Sequence, residues 1–134
     1  ACLQEIVAQR GKASLDHLEP METAEAMAWL ETLPGIARKI SAGIMNTSHF
    51  NRKALVLDSG HRRVVQRMGL VAPKADTTRA YDELTPLLPP EWSAEDLDEH
   101  HLLGKRLAQT FCRPKRPDCP SCPVRADCEM GAAL

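Results

Sequence analysis

The sequence predicts an all-α fold, on three observations. Apolar residues recur at helical spacing along most of the chain instead of alternating. Cap-type residues and breakers punctuate that pattern: Thr23, Asp58 and Ser93 open segments, and Pro34-Gly35, Gly69 and Pro89-Pro90 close them. Nothing reads as a β-hairpin, an internal repeat or a low-complexity tract.

The elements follow in order. Residues 2–9 read as the tail of a helix with Gly11 just past its end; with nothing ahead of Cys2 to cap it, the chain is expected to begin inside an element. Thr23 is the expected N-cap of a helix through Leu30 that buries Ala24, Met27, Ala28 and Leu30. Leu33-Pro34-Gly35 breaks it, because proline lacks an N–H and glycine permits positive φ. The next helix spans about Arg38 to Thr47, with Ile40, Ala42-Gly43 and Ile44 inward. Residues 48–57 are a connector ending in the apolar run Ala54-Leu55-Val56-Leu57. Asp58 and Ser59, both N-cap types, precede a helix over 60–68 closed by Gly69. Thr77 or Thr78 opens another, running to about Leu88. Ser93-Ala94-Glu95-Asp96 has the form of a capping box, and its helix runs to Phe111, packing through Leu97, Leu102, Leu103, Leu107 and Phe111.

A length of 134 residues suits one modest domain or two small helical lobes. Aromatic residues are only 4%, so the core must be mainly aliphatic and Met. No apolar run approaches the ~18–20 residues of a membrane span, and no segment resembles a signal peptide. A cytoplasmic protein is expected, associated with the nucleoid in a bacterium. The net charge of -1 conceals a strong bias. Residues 35–67 hold Arg38, Lys39, Arg52, Lys53, Arg62, Arg63 and Arg67 against Asp58 alone, whereas 1–34 and 68–111 are each acidic. A basic block within an acidic chain is either a phosphate-facing surface or a solvated helix face.

Four of the five cysteines fall in the last 23 residues, as Cys112, Cys119, Cys122 and Cys128. The odd total and uneven clustering disfavour a disulfide framework and point to a metal site. Prolines 114, 117, 120 and 123 stiffen the path between the ligands. Zinc and iron–sulfur both accept four thiolates, although only Cys119-Pro120-Ser121-Cys122 forms the knuckle that zinc ribbons use twice. Spacing alone leaves the two open.

Three motifs in one order resemble the helix-hairpin-helix glycosylase superfamily, in its endonuclease III branch. Leu33-Pro34-Gly35-Ile36-Ala37-Arg38-Lys39 is similar to that family's hairpin and catalytic lysine. Leu57-Asp58-Ser59-Gly60-His61-Arg62-Arg63-Val64 is similar to the stretch holding its catalytic aspartate, and the cysteine spacing matches its [4Fe–4S] loop. The resemblance implies a hairpin lobe over residues 1–57 and an iron–sulfur lobe over 58–134, with an N-terminal section missing that a longer chain, or a second copy, would replace. It implies a base-excision glycosylase with β-elimination lyase activity, acting on oxidised pyrimidines or abasic sites in duplex DNA. Lys39 would be the nucleophile, Asp58 its electrostatic partner, and a [4Fe–4S] cluster on the four cysteines the structural cofactor. Gly35, Ala37, Arg38, Arg62, Arg113, Lys115 and Arg116 would meet the DNA backbone. Ala37 departs from the second hairpin glycine, and Gly60-His61 from the histidine and apolar residue that usually follow the aspartate pair.

Competing readings are plainer. Asp58 is also a helix cap, His61 is expected at the surface, His100-His101 carries no assigned chemistry, and Trp29 and Trp92 are expected to pack. From a different class, a non-catalytic DNA-binding module or a zinc-stabilised interaction domain would share the cysteine loop.

Overall fold

The computed structural model describes residues 1–133 and is helical throughout, with no strand among them. Seven α-helices follow one another: α1 (Cys2–Arg10), α2 (Thr23–Leu30), α3 (Arg38–Thr47), α4 (Ser59–Met68), α5 (Thr77–Leu84), α6 (Ala94–Thr110) and α7 (Glu129–Ala132). Short 3-10 turns lie at Asp16–Leu18, Thr85–Leu87, Cys119–Ser121 and Arg125–Asp127.

Local chemistry sets most boundaries. Gly11 and Gly69 close α1 and α4 in the left-handed region, at φ 78 and 83. Asp58 caps α4 by accepting the His61 N–H at 2.7 Å. Ser93 and Asp96 make the full capping box of α6. Two expected caps are displaced: α5 is capped by Asp76, which accepts from the Arg79 N–H, and α2 starts at Thr23 with Glu22 in the cap position. Asp76 prevails over the threonines because a carboxylate there accepts the free N–H more strongly than a hydroxyl. The α5 helix stops at Leu84, where Pro86 tightens the chain into a 3-10 turn.

Two apolar cores form. The first gathers Ile6, Leu18, Ala26, Met27, Leu30, Leu33, Ala42, Met45, Phe50, Ala54 and Val56. The second gathers Leu55, Leu57, Val65, Val71, Ala75, Ala80, Leu84 and Leu97. The extended run 54–57 stitches them together, sending Ala54 and Val56 into one and Leu55 and Leu57 into the other. This is the period-two alternation of extended backbone. Asn46 completes the junction, its amide donating to Arg52 O at 2.8 Å and Ala94 O at 3.0 Å. Trp29 packs on the first core and Trp92 on the second, as expected.

Several inward faces differ from the expected ones. In α2, Ala26 is buried and Ala24 and Ala28 are exposed. In α3, Ser41, Ala42 and Met45 point inward and Ile40 is 44% exposed. In α6, Leu102 and Leu103 are 55% and 59% exposed, while Leu97 and Ala108 make the packed face. In α6 the small residues Gly104 and Ala108 meet α4 where a larger side chain would not fit. His61 is the clearest reversal. Expected at the surface, it is 1% exposed and wedged between α4 and α6.

Candidate active cleft and cysteine loop

The turn between α2 and α3 is built on Gly35 at φ 79, with Ile36 N–H donating back to Leu33 O at 3.3 Å. Ala37 takes the N-cap position of α3 at φ -108, an extended conformation that needs no glycine. Its side chain offers no cap, so the first N–H groups of α3 have no side-chain partner there. Gly35 and Ala37 are both exposed. Exposed N–H groups at the positive end of a ten-residue helix are suited to an anion.

Lys39, the second residue of α3, is exposed and opens onto a cleft of about 470 Å³. Asp58, Ser59, Gly60 and Arg63 line it from α4 and its cap, Lys105, Ala108 and Gln109 from α6, and Arg113 and Pro114 from the cysteine loop. Lys39 and Asp58 are thus brought to one cleft from 19 positions apart. Asp58 divides its work: one carboxylate oxygen holds the α4 cap while the side chain borders the cleft. Gly60 keeps that border tight. A Cβ there would lie 2.9 Å from the Ala108 Cβ and 3.4 Å from Asp58 Oδ1.

Two expected DNA contacts are occupied elsewhere. The Arg38 guanidinium bonds Glu31 at 3.1 Å and Asp82 at 2.7 Å and lies over the Tyr81 ring, 5.0 Å from its centroid. Those carboxylates raise its already high pKa against the opposing effect of burial. Arg62 donates to Thr77 Oγ1 at 3.0 Å and fastens α4 to α5. By contrast, Arg113 faces the cleft, and Lys115 and Arg116 are exposed on the loop beside it, Arg116 at φ 54.

The four loop cysteines line one small pocket, walled by Val64, Met68, Leu107, Phe111, Val124 and Met130. Arg63 and Arg67, one turn apart on α4, tie the start of the loop to that helix. Arg63 donates to Cys112 O at 2.8 Å and Ala108 O at 3.0 Å. Arg67 donates to Arg113 O at 2.7 Å, Pro114 O at 3.0 Å and Cys112 Sγ at 3.4 Å. The Gly131 N–H points at Cys128 Sγ at 3.5 Å. Among the described residues, no three His, Cys, Asp or Glu side chains converge to hold a single ion. A donor set of four sulfurs around an apolar-walled pocket, with N–H groups on two of them, fits a multi-iron cluster.

Sequence reasoning missed Lys105 and Gln109 and placed Arg63 only within the basic block. The available signal was spacing: Arg63 and Arg67 share one face of α4, and Lys105 and Gln109 share one face of α6.

Fold and site together define a helical hairpin protein carrying a four-cysteine loop. Its similarities agree. The chain is 32% identical over 108 residues to Endonuclease III of Escherichia coli (strain K12) and 30% identical over 98 residues to Endonuclease III of Rickettsia conorii. Those stretches cover 81% and 72% of this chain but 48% and 43% of the relatives, so the chain spans about half their length. In fold it matches an endonuclease III in a trapped covalent intermediate with DNA (TM-score 0.72, 22% identity) and an endonuclease III in a non-covalent DNA complex (TM-score 0.70, 23% identity). Each match covers 98% of this chain and a little over half of the other, 56% and 55%. No protein-family model matches the chain. This is an endonuclease III-type protein over the portion it spans.

Proposed function

We propose that the chain forms the DNA-facing portion of a base-excision glycosylase and abasic-site lyase, with residues 1–57 as its hairpin lobe and 58–134 as its iron–sulfur lobe. The observation that carries this reading is the shared cleft of Lys39 and Asp58, bordered by cations. The relatives' names and the DNA complexes of the similar structures support it.

In this reading the uncapped start of α3, with Gly35 and Ala37, grips a backbone phosphate, while Arg113, Lys115 and Arg116 hold the strand from the loop. Arg38 and Arg62 act on the fold itself, given their partners. The damaged nucleotide, an oxidised pyrimidine, is swung out of the stack toward Lys39. The Lys39 amine in its neutral form attacks C1′; the C1′–N bond breaks and the base departs with the electron pair and takes up a proton. The sugar opens to an iminium on Lys39. Loss of a C2′ proton then expels the 3′ phosphate. Asp58 steadies the positive charge that develops at C1′.

Cys112, Cys119, Cys122 and Cys128 would hold a [4Fe–4S] cluster, which on binding fixes the loop and takes no part in bond cleavage. No described helix is long and apolar enough to cross a membrane.

Borohydride trapping tests the reading. Reducing the iminium leaves a stable amine linkage, so the chain incubated with abasic-site duplex is expected to give a covalent adduct that Lys39→Ala abolishes. DNA binding without any adduct would instead mark a non-catalytic module.

A further inference from the structure

The α6 wall of the cleft carries a cation that nothing above uses. Lys105 borders the same cleft as Lys39 and Asp58, contributed by α6. Arg63 there is committed to two carbonyls, and Arg113 Nη2 donates to Arg116 O at 3.3 Å within its own loop. Among the described residues Lys105 has neither a hydrogen-bond nor an ion-pair partner. Its position is nevertheless well defined by its neighbours. Gly104, just before it, abuts His61, and Ala108, three residues on, abuts Gly60. Two close contacts in one turn of helix fix where Lys105 emerges. The cleft walls hold Lys39, Arg63, Lys105 and Arg113 against one carboxylate, Asp58. Walls of one sign concentrate their field on an anion between them.

We infer that Lys105 is a phosphate-binding residue, holding the DNA backbone beside the nucleotide presented to Lys39. This rests on the reading of the cleft as a DNA site. An ammonium on a four-carbon stem reaches a phosphate as a point charge and reads no base, which suits an enzyme that inspects any sequence. Being seated on α6 and not on the cysteine loop, it would hold the strand independently of the cluster.

The test is equilibrium binding to a duplex containing a tetrahydrofuran abasic analogue, which cannot form the lysine adduct, over a range of salt concentrations. Each phosphate contact contributes about 0.9 to the slope of log affinity against log salt. Lys105→Ala should reduce that slope by about 0.9, with unfolding midpoint unchanged, and Lys105→Arg should restore it. If the parent chain binds and Lys105→Ala leaves the slope as it was, Lys105 makes no phosphate contact, and the glycosylase reading stands without it. If the parent chain shows no salt-dependent binding, the DNA-site reading fails and this inference fails with it.

Discussion

His61 and Gly104 interlock across the α4–α6 crossing: a Cβ on Gly104 would stand 2.7 Å from His61 Cδ2 and 2.9 Å from Nε2. One helix yields a side chain so that the other can bury an imidazole. Gly60 and Ala108 repeat the arrangement one turn away with the roles exchanged. Gly104→Ala and Gly60→Ala should therefore each cost ~1–3 kcal/mol through overpacking. Gly43→Ala is the control. Its Cβ would meet only Val56 Cγ2 at 3.9 Å, so helix propensity should leave that variant as stable as the parent or up to ~1 kcal/mol more. Urea melts of the three variants decide the matter, and equal losses at all three sites would refute the interlock.

Burial makes His61 pH-sensitive in a defined direction. Loss of water first, then repulsion from His100, lower its pKa to about 4 against the influence of a Val56 backbone hydrogen bond; His101 pushes the same way and Asp58 opposes. The His100 pKa is lowered too, by burial and by His101. The unfolded chain thus binds protons that the folded chain refuses, so stability falls as pH drops from ~6.5 towards 4 and levels off below. For His61 the loss is on the order of 3 kcal/mol. Unfolding free energy measured from pH 7.5 to 4 should show this slope, and His61→Asn should flatten it. A slope undiminished by the substitution would assign the effect to other groups.

Asp58 carries two tasks that conservative variants can separate. Asparagine caps a helix as well as aspartate does, whereas alanine forfeits ~1 kcal/mol. Asp58→Asn should keep the parent's melting midpoint and lose most of the borohydride-trapping rate. Asp58→Ala should lose both. An Asn variant that traps at the parent rate would reduce Asp58 to a cap.

Arg38 shows what charge along the sequence does not report. The sequence displays a basic block, and only the fold reveals that Glu31 on one side and Asp82, 44 positions away, neutralise its first member. With its side chain 18% exposed, Arg38→Ala should cost ~1–2 kcal/mol, more than a surface pair and less than a fully buried one. The salt dependence of DNA binding should not change. A slope reduced by about 0.9 would restore Arg38 to the DNA surface.

What was legible followed from local rules. Gly11, Gly69, Asp58 and the Ser93–Asp96 box mark helix ends through hydrogen bonds within a few residues, so sequence suffices to place them. The meeting of Lys39 with Asp58 was legible only through a resemblance, since no local rule joins α3 to the α4 cap. In α2 only the choice among the alanines was wrong. In α3 and α6 the inward face was misjudged because periodicity favours large apolar residues such as Ile40, Leu102 and Leu103. The α4–α6 crossing selects Gly104 and Ala108 instead. His61 was misplaced for the same reason, because its burial depends on a glycine 43 positions away.

The cysteine loop gives the last prediction. Neither apolar core includes any of its four cysteines, and Arg63 and Arg67 tether the loop to α4 through its carbonyls. The helices should therefore outlast the cluster. Purified protein should be coloured, with about four irons and matching sulfide per chain. Cys128→Ser should lose the colour and most of the iron while keeping most of the far-UV helical signal. Arg67→Ala should give a cluster that bleaches faster in air, since Arg67 shields Cys112 Sγ and braces the backbone beyond it. A colourless parent protein with one zinc would sink the cluster assignment. Collapse of helicity in Cys128→Ser would show instead that the loop supports the second core rather than resting on it.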